Sequence, residues 1–124
     1  MTYKLIIAGG REFDDYDLLS KTMSKYYKRD DLEIVSGTAR GADKLGERFA
    51  EEKSIPVKHF PADWNAKGKA AGYIRNAEMA EYADALLAFW DGSSKGTGHM
   101  INLAHKNNLH VSVVNYKKEE HGSS

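Results

Sequence analysis

The sequence of 124 residues contains no cysteine and no excess of charge of either sign. Without cysteine there is no disulfide framework, no thiolate nucleophile and no cysteine-ligated metal site. Eighteen basic residues balance eighteen acidic ones, so no global field attracts nucleic acid. No apolar run approaches the roughly 20 residues of a membrane-spanning helix, and the first residues show no signal-peptide core. We therefore expect a cytoplasmic protein with no membrane contact.

Several well-defined nucleotide and metal motifs are also missing. The run Gly9-Gly10-Arg11-Glu12 has the wrong spacing for the dinucleotide fingerprint G-x-G-x-x-G. Gly37 and Gly41 have three residues between them and Ala42 follows, whereas a P-loop needs four residues between its glycines and then Lys-Ser/Thr. No H-E-x-x-H, no paired histidines at metal spacing and no G-x-S-x-G elbow occurs. The sequence therefore predicts no metal site and no resident cofactor.

Five short apolar runs alternate with stretches of helical periodicity. The runs are Lys4–Ala8, Leu32–Val35, Val57–Phe60, Ala85–Trp90 and His110–Asn115. This alternation predicts an α/β fold, a single Rossmann-like three-layer domain with about five parallel strands and helices on both faces. We expect this domain to occupy residues 1–116 and a flexible polar tail to occupy residues 117–124.

Capping residues and apolar spacing predict where the helices begin. Asp14 and Asp15 suit the N-cap of the first helix. Its inward stripe is predicted to contain Leu18, Leu19, Thr22, Met23 and Tyr26. Later helices are expected to begin near Ala42 or Asp43 and at Thr97.

Three of the predicted strands end in glycine-rich turns. The turns are Gly9-Gly10-Arg11, Ser36-Gly37-Thr38-Ala39-Arg40-Gly41 and Asp91-Gly92-Ser93-Ser94-Lys95-Gly96-Thr97. Glycine lets the backbone approach a ligand closely, and a helix N-terminus attracts anions. The carboxyl ends of parallel strands share one edge of the sheet, where ligands bind at the switch point. We therefore expect the turns to form phosphate cradles in one crevice for a nucleotide or a phosphorylated sugar.

The candidate ligand-binding residues offer backbone amides, hydroxyl groups or charged side chains at this edge. They are Gly9, Gly10, Arg11, Ser36, Gly37, Thr38, Gly41, Asp43, Arg75, Asn76, Gly92, Ser94, Gly96 and Thr97. Alternatives stay open at this point: the glycines can serve tight turns alone, Arg11 can pair with Glu12 or Asp15, and Arg75 can simply be solvated. Trp64 is expected in the polar loop after the third strand, where it can stack on a base or cover the core.

Asp43 and Asp91 are the candidate catalytic residues, since a carboxylate beside bound water can act as a general base. Asp43 also lies in a predicted first helical turn, where the helix dipole alone favours a carboxylate by about 0.3–1 kcal/mol.

Four motifs in this order resemble the SLOG superfamily: Gly9-Gly10-Arg11, Ser36-Gly37-x-Ala39-x-Gly41-Ala42-Asp43, Arg75-Asn76-x-x-Met79 and Gly96-Thr97. The superfamily contains the LOG phosphoribohydrolases, the DprA/Smf DNA-processing proteins and nucleotide-sensing domains. The chain looks most like the small YspA-type (YpsA-related) SLOG family, with which it shares the Gly-Gly-Arg start, Ala62-Asp63-Trp64 and the Arg-Asn pair. The resemblance covers about Tyr3 to Asn115 and implies a Rossmann-like fold, a nucleotide-derived ligand and a possible homodimer.

One departure from the LOG pattern separates the hypotheses. LOG enzymes carry Pro-Gly-Gly-x-Gly-Thr-x-x-Glu, and here the position of that glutamate is Met100. The resemblance thus favours binding or sensing of an adenine nucleotide, an NAD- or ADP-ribose-like molecule or a ribosyl phosphate. The alternative is a LOG-like nucleotide hydrolase that cleaves an N-glycosidic or phosphate bond. A DprA-like module for single-stranded DNA fits a neutral chain least well.

Overall fold

A computed structural model of the chain describes residues 2–117, and these residues form five strands and five helices. In chain order the elements are β1 Tyr3–Gly9, α1 Tyr16–Tyr26, β2 Leu32–Ser36, α2 Ala42–Glu52, β3 Val57–His59, α3 Trp64–Lys67, α4 Ala71–Tyr82, β4 Ala85–Trp90, α5 Lys95–Lys106 and β5 His110–Asn115. A 3-10 turn over Gly68–Ala70 joins α3 to α4. Of the predicted tail, Lys117 is described and residues 118–124 lie outside the described residues. The division of the chain at residue 116 stays a prediction.

The five strands form one sheet in the order β3-β2-β1-β4-β5, and every neighbouring pair is parallel. The central strand β1 pairs with β2 on one side and with β4 on the other, so that Leu5 lies between Ile34 and Ala85. Parallel strands need crossover connections, and the intervening helices supply them. This architecture confirms the α/β, Rossmann-like fold class predicted from the sequence.

The sheet is covered on both faces, because alternate residues of β1 point to opposite sides. Leu5 and Ile7 pack with α1 and α2 on one face. Ile6 and Ala8 pack with α4 and α5 on the other. Burial of each large apolar side chain stabilises the fold by about 1.5–3 kcal/mol. Double-sided burial explains why β1 and β4 are continuous apolar runs rather than alternating ones.

The predicted N-cap of α1 is confirmed, but the prediction that Tyr26 faces the core is wrong. The backbone N–H of Leu18 donates to Oδ1 of Asp15 at 3.0 Å. Tyr26, predicted to face the core, is 66% exposed, and Tyr27 is buried instead. The reason is that α1 ends at Tyr26, and Tyr27 leaves helical geometry with φ −128°. Its hydroxyl reaches Ser112 of β5 at 3.2 Å.

Two further local predictions are corrected. The final helix α5 begins at Lys95 rather than at Thr97, since Ser94 takes the N-cap position. Trp64 begins the short helix α3 rather than lying in a loop, and Asp63 caps this helix by accepting from the N–H of Ala66 at 3.0 Å. Over residues 2–117, no helix is both long enough and apolar enough to cross a membrane.

Candidate functional site

A cavity of about 490 Å³ opens at the carboxyl ends of β1 and β4. These neighbouring strands lead into helices on opposite faces of the sheet, which is the switch point where ligands bind in such folds. Of the predicted site residues, the cavity is lined by Gly9, Gly10, Arg11, Asp43, Arg75, Asn76, Asp91, Ser94, Gly96 and Thr97. The glycine-rich turns after β1 and β4 therefore converge on one crevice with the start of α2 and with α4.

The N-terminus of α5 presents unpaired donors to this cavity. The backbone N–H groups of Lys95, Gly96 and Thr97 have no acceptor within residues 2–117, and Ser94 makes no capping hydrogen bond. Thr97 is only 5% exposed, lines the cavity, and its hydroxyl has no hydrogen-bond partner among the described residues. The first turn of α5 also holds no acidic residue. Free amides and the positive end of the helix dipole together favour an anion here.

Asp91 shapes the loop that leads into α5. Its Oδ1 accepts from the N–H groups of Ser93 and Ser94 at 2.9 and 2.7 Å. These backbone hydrogen bonds hold the pKa of Asp91 below its usual range. Gly92, with φ +89°, makes the tight turn possible. Asp91 therefore stays ionised at neutral pH and holds the loop, and its candidate catalytic role stays a prediction.

Arg75 and Asn76 on α4 form hydrogen bonds with the glycine-rich turns after β2 and β4. Arg75 donates through Nη1 to the carbonyl of Gly37 and through Nε to Oδ1 of Asn76 at 3.0 Å. Asn76 in turn directs Nδ2 to the carbonyl of Gly96 at 3.4 Å and to Nδ1 of His99 at 3.3 Å. Arg75 forms no ion pair within residues 2–117, and burial lowers its pKa. The carboxylate of Asp43 lies near enough to act on the pKa of Arg75 in the opposite direction but forms no ion pair with it. A partly buried guanidinium that forms no ion pair is suited to an anionic ligand.

Asp43 lies in the first turn of α2 and lines the same cavity. Asp43 is 7% exposed, and burial raises the pKa of its carboxyl group to about 6. The N–H of Ala39, which donates to Oδ2 at 3.1 Å, and the nearby guanidinium of Arg75 act in the opposite direction. Of the two candidate catalytic carboxyl groups, Asp43 is the one whose pKa suits proton transfer near neutral pH.

Two backbone amides in the turn after β2 donate to side chains of the protein itself. The N–H of Thr38 donates to Oγ of Ser36 at 3.1 Å, and the N–H of Ala39 donates to Asp43. The Ser36 hydroxyl donates to Oε2 of Glu47 at 2.5 Å. Two of the amides expected to hold a phosphate here are therefore engaged, whereas those of Gly37, Arg40 and Gly41 have no acceptor among the described residues. At α5 the first three amides are all free of such partners.

Close backbone approach explains the glycines at the base of the cavity. A Cβ on Gly9 would lie 2.8 Å from the Cβ of Ala42, and a Cβ on Gly10 would lie 2.8 Å from the hydroxyl oxygen of Tyr116. Gly41, with φ +83°, packs against the backbone of residues 10–11. These three glycines thus bring the ends of β1 and the start of α2 together.

A second cavity of about 910 Å³ adjoins the first. Its lining residues are Arg11, Gly37, Thr38, Ala39, Arg40, Ala62, Trp64 and Arg75, so the cavity includes the predicted site residues Gly37 and Thr38. Arg11 is exposed and forms no ion pair within residues 2–117, and Glu12 pairs with Arg40 at 2.8 Å instead. The surface salt bridge suggested as an alternative role for Arg11 is therefore wrong for the described chain.

Aromatic side chains around the first cavity include two that the sequence did not single out, Tyr73 and Tyr116. Tyr73 precedes Arg75 on α4 and contacts His99 edge-on, with ring centroids 4.5 Å apart. Tyr116 directly follows β5. Its position at the carboxyl end of a parallel strand is the sequence signal that could have placed it at the site. Trp64 also lines the cavity. Residues 2–117 contain no cluster of His, Asp or Glu side chains that could hold a metal ion.

Comparisons with known proteins identify the family of the chain. A sequence model of the YspA, cpYpsA-related SLOG family matches residues 3–66, a range that includes the turns after β1 and β2. The Gene 61 protein of Mycobacterium phage D29 is 34% identical over 121 residues, covering 91% of this chain and 95% of the relative. No solved structure matches the chain significantly. The chain belongs to the YspA, cpYpsA-related SLOG family.

Proposed function

We propose that this protein binds a nucleotide-derived ligand, with a phosphate group at the N-terminus of α5. Membership of the SLOG family fits a nucleotide-related function in general. The observation that carries the proposal is a set of donors at α5 that have no acceptor within residues 2–117: three backbone amides and the hydroxyl of Thr97. A dianionic phosphate group satisfies several such donors at once and interacts favourably with the helix dipole.

Two arginines support the same assignment. Arg75 borders the cavity from α4, and its bond network through Asn76 reaches the carbonyl of Gly96 in the first turn of α5. Arg11 borders the cavity from the turn after β1 and has no carboxylate partner among the described residues. Both guanidinium groups are therefore available as counter-charges, and charge-assisted hydrogen bonds to phosphate are stronger than neutral ones.

The remaining walls suit the nucleoside part of the ligand. Met79 and Met100 provide apolar surface, and Tyr73, Trp64 and Tyr116 provide aromatic rings at the rim. Apolar and aromatic walls with a few placed polar groups are typical of small-molecule sites. An adenine nucleotide, an NAD- or ADP-ribose-like molecule and a ribosyl phosphate all combine a ring system with phosphate. We propose that the protein is cytoplasmic and binds this ligand there.

A thermal-shift screen tests the proposal with AMP, ADP, NAD, ADP-ribose, ribose 5-phosphate and, as the phosphate-free control, adenosine. A ligand at 100 times its dissociation constant adds about 2.7 kcal/mol to the free energy of unfolding. We expect Arg11→Ala to melt like the wild type without ligand, because Arg11 makes no ion pair in the described chain, and to lose most of the ligand-induced shift. Arg29→Ala is the matched control, since Arg29 pairs with Asp31 and packs over Tyr3 at the opposite edge of the sheet.

The proposal fails if none of the phosphate compounds raises the melting temperature, or if adenosine raises it as much as AMP does. It also fails if Arg11→Ala and Arg29→Ala reduce the ligand-induced shift equally, since the site would then not lie at this edge.

Hydrolysis of the bound nucleotide is a second candidate function, and the observation that favours it is Asp43. A buried carboxyl group with a pKa of about 6 beside Arg75 and an anion site can accept a proton from an attacking water. The test is to incubate AMP, NAD and ADP-ribose with the wild type and with Asp43→Asn and to separate the products. Turnover that disappears in Asp43→Asn supports hydrolysis, and intact ligand recovered from a saturated complex supports binding alone.

Two macromolecular partners belong to the same set of proposals. A homodimer is proposed by resemblance to the superfamily, and analytical ultracentrifugation with and without AMP measures it. Binding of single-stranded DNA is the least favoured alternative for a chain with formal net charge +0. Tight oligonucleotide binding that weakens steeply with salt is the result that would reverse this ranking.

A further inference from the structure

The second cavity shares a wall with the first. Arg11, Ala39, Trp64 and Arg75 line both cavities, while the α5 N-terminus lines the first and the turn after β2 lines the second. The two spaces therefore form one cleft with Arg11 and Arg75 at its middle. Both volumes, about 490 and about 910 Å³, lie within the range of about 300–1,000 Å³ typical of small-molecule sites.

The charged side chains that line the second cavity are all positive. Arg11, Arg40 and Arg75 line it, and no carboxylate is found among its described lining residues. The neighbouring amides of Thr38 and Ala39 are used within the protein, so the guanidinium groups are the main charged donors that this cavity offers. Three guanidinium groups without an acidic neighbour in the wall favour an anionic group.

Arg40 is free to turn toward such a group. It bonds Glu12 at 2.8 Å, but the two side chains are 72% and 84% exposed. Exposed ion pairs of this kind contribute little to stability. A phosphate in the cavity can therefore replace Glu12 as the partner of Arg40 without disturbing the fold.

Trp64 provides a ring at the boundary between the two cavities. The indole is 51% exposed, and its Cη2 lies 3.4 Å from where a Cβ would stand on Gly72 of α4. The glycine thus leaves room for the indole against α4. An exposed, supported tryptophan beside arginines is a stacking surface for a ring.

We propose that the two cavities bind one two-part ligand, a nucleotide joined through its phosphates to a second sugar or nucleoside. The nucleotide half occupies the first cavity with a phosphate at α5. The linking phosphates pass Arg11 and Arg75 and reach Arg40, and the second half lies in the second cavity against Trp64. This inference rests on the proposed function and narrows it to nucleoside diphosphates that carry a second ring.

Isothermal titration of the full chain with AMP and ADP-ribose tests the proposal. We expect ADP-ribose to bind at least tenfold more tightly than AMP. Arg40→Ala should weaken ADP-ribose binding at least fivefold and leave AMP binding within twofold. Trp64 lines both cavities, so Trp64→Ala should weaken ADP-ribose binding by a larger factor than AMP binding. Trp64→Phe should retain most of the affinity because it keeps a ring. Arg48→Ala, an exposed arginine on α2 that pairs with Glu52, should bind both probes like the wild type.

Each other outcome overturns the inference in a recognisable way. If AMP binds as tightly as ADP-ribose, or if neither Arg40→Ala nor Trp64→Ala weakens ADP-ribose binding selectively, the second cavity holds no part of the ligand while the proposed function stands. If neither probe binds, the proposed function and this inference both fail. If a single-stranded oligonucleotide binds more tightly than ADP-ribose and loses affinity in Arg40→Ala, the occupant is a nucleic acid and the inference is wrong.

Discussion

Replacement of Asp43 by asparagine should make the stability of the protein respond differently to pH. Burial raises the pKa of Asp43 to about 6 in the folded protein, against about 3.9 in an unfolded chain. Between these values the folded state binds more protons than the unfolded state, so the free energy of unfolding falls as pH rises from about 4 to about 6. Two pKa units at about 1.4 kcal/mol each give an effect of about 3 kcal/mol. Asparagine keeps an oxygen acceptor for the N–H of Ala39 but does not titrate.

Urea unfolding of the wild type and of Asp43→Asn at several pH values from 4 to 7 measures this effect. We expect the wild type to gain about 2–3 kcal/mol relative to the variant as the pH falls from 7 to 4. Asp17→Asn is the matched control for removal of one carboxylate from a first helical turn, because Asp17 is exposed in the first turn of α1. The assignment of a destabilised buried carboxylate is refuted if the free energies of unfolding of the wild type and Asp43→Asn differ by a constant amount over this pH range. It is also refuted if the difference changes in the opposite direction.

Two glycine substitutions give further predictions. A Cβ on Gly96 meets no atom within 4 Å, so Gly96→Ala should stabilise the empty protein by about 0.4–1 kcal/mol and weaken AMP binding at least tenfold by narrowing the anion site. Gly98→Ala, also in α5 but outside the cavity lining, is its control and should leave AMP binding unchanged in a calorimetric titration. A Cβ on Gly37 would stand 2.8 Å from both Arg75 Nη1 and Asp43 Oδ2, so Gly37→Ala should lower the free energy of unfolding by about 1–3 kcal/mol, measured with urea.

The strands were predictable because their signals are local. Ala85–Trp90 and His110–Asn115 were predicted with the bounds that the structure shows. For Ala85–Trp90, Asp84 and Asp91 interrupt the apolar run on either side. The convergence of the glycine-rich turns was predictable as well, since parallel strands place their carboxyl ends at one edge.

Other features depend on tertiary contacts that no short pattern contains. The amides of Thr38 and Ala39 are not free, because the side chains of Ser36 and Asp43 turn back and accept hydrogen bonds from them. The sequence shows these acceptors but not their direction. The four-residue helix that begins at Trp64 is too short for helical periodicity to reveal.

The most direct test of the anion site is an NMR titration of the ¹⁵N-labelled protein with AMP. If the phosphate binds the N-terminus of α5, the backbone amide signals of Lys95, Gly96 and Thr97 should show the largest shifts, and the amides of Thr38 and Ala39, already bonded within the protein, should shift less. Largest shifts in the turn after β2, or at the amino ends of the strands, would contradict the account.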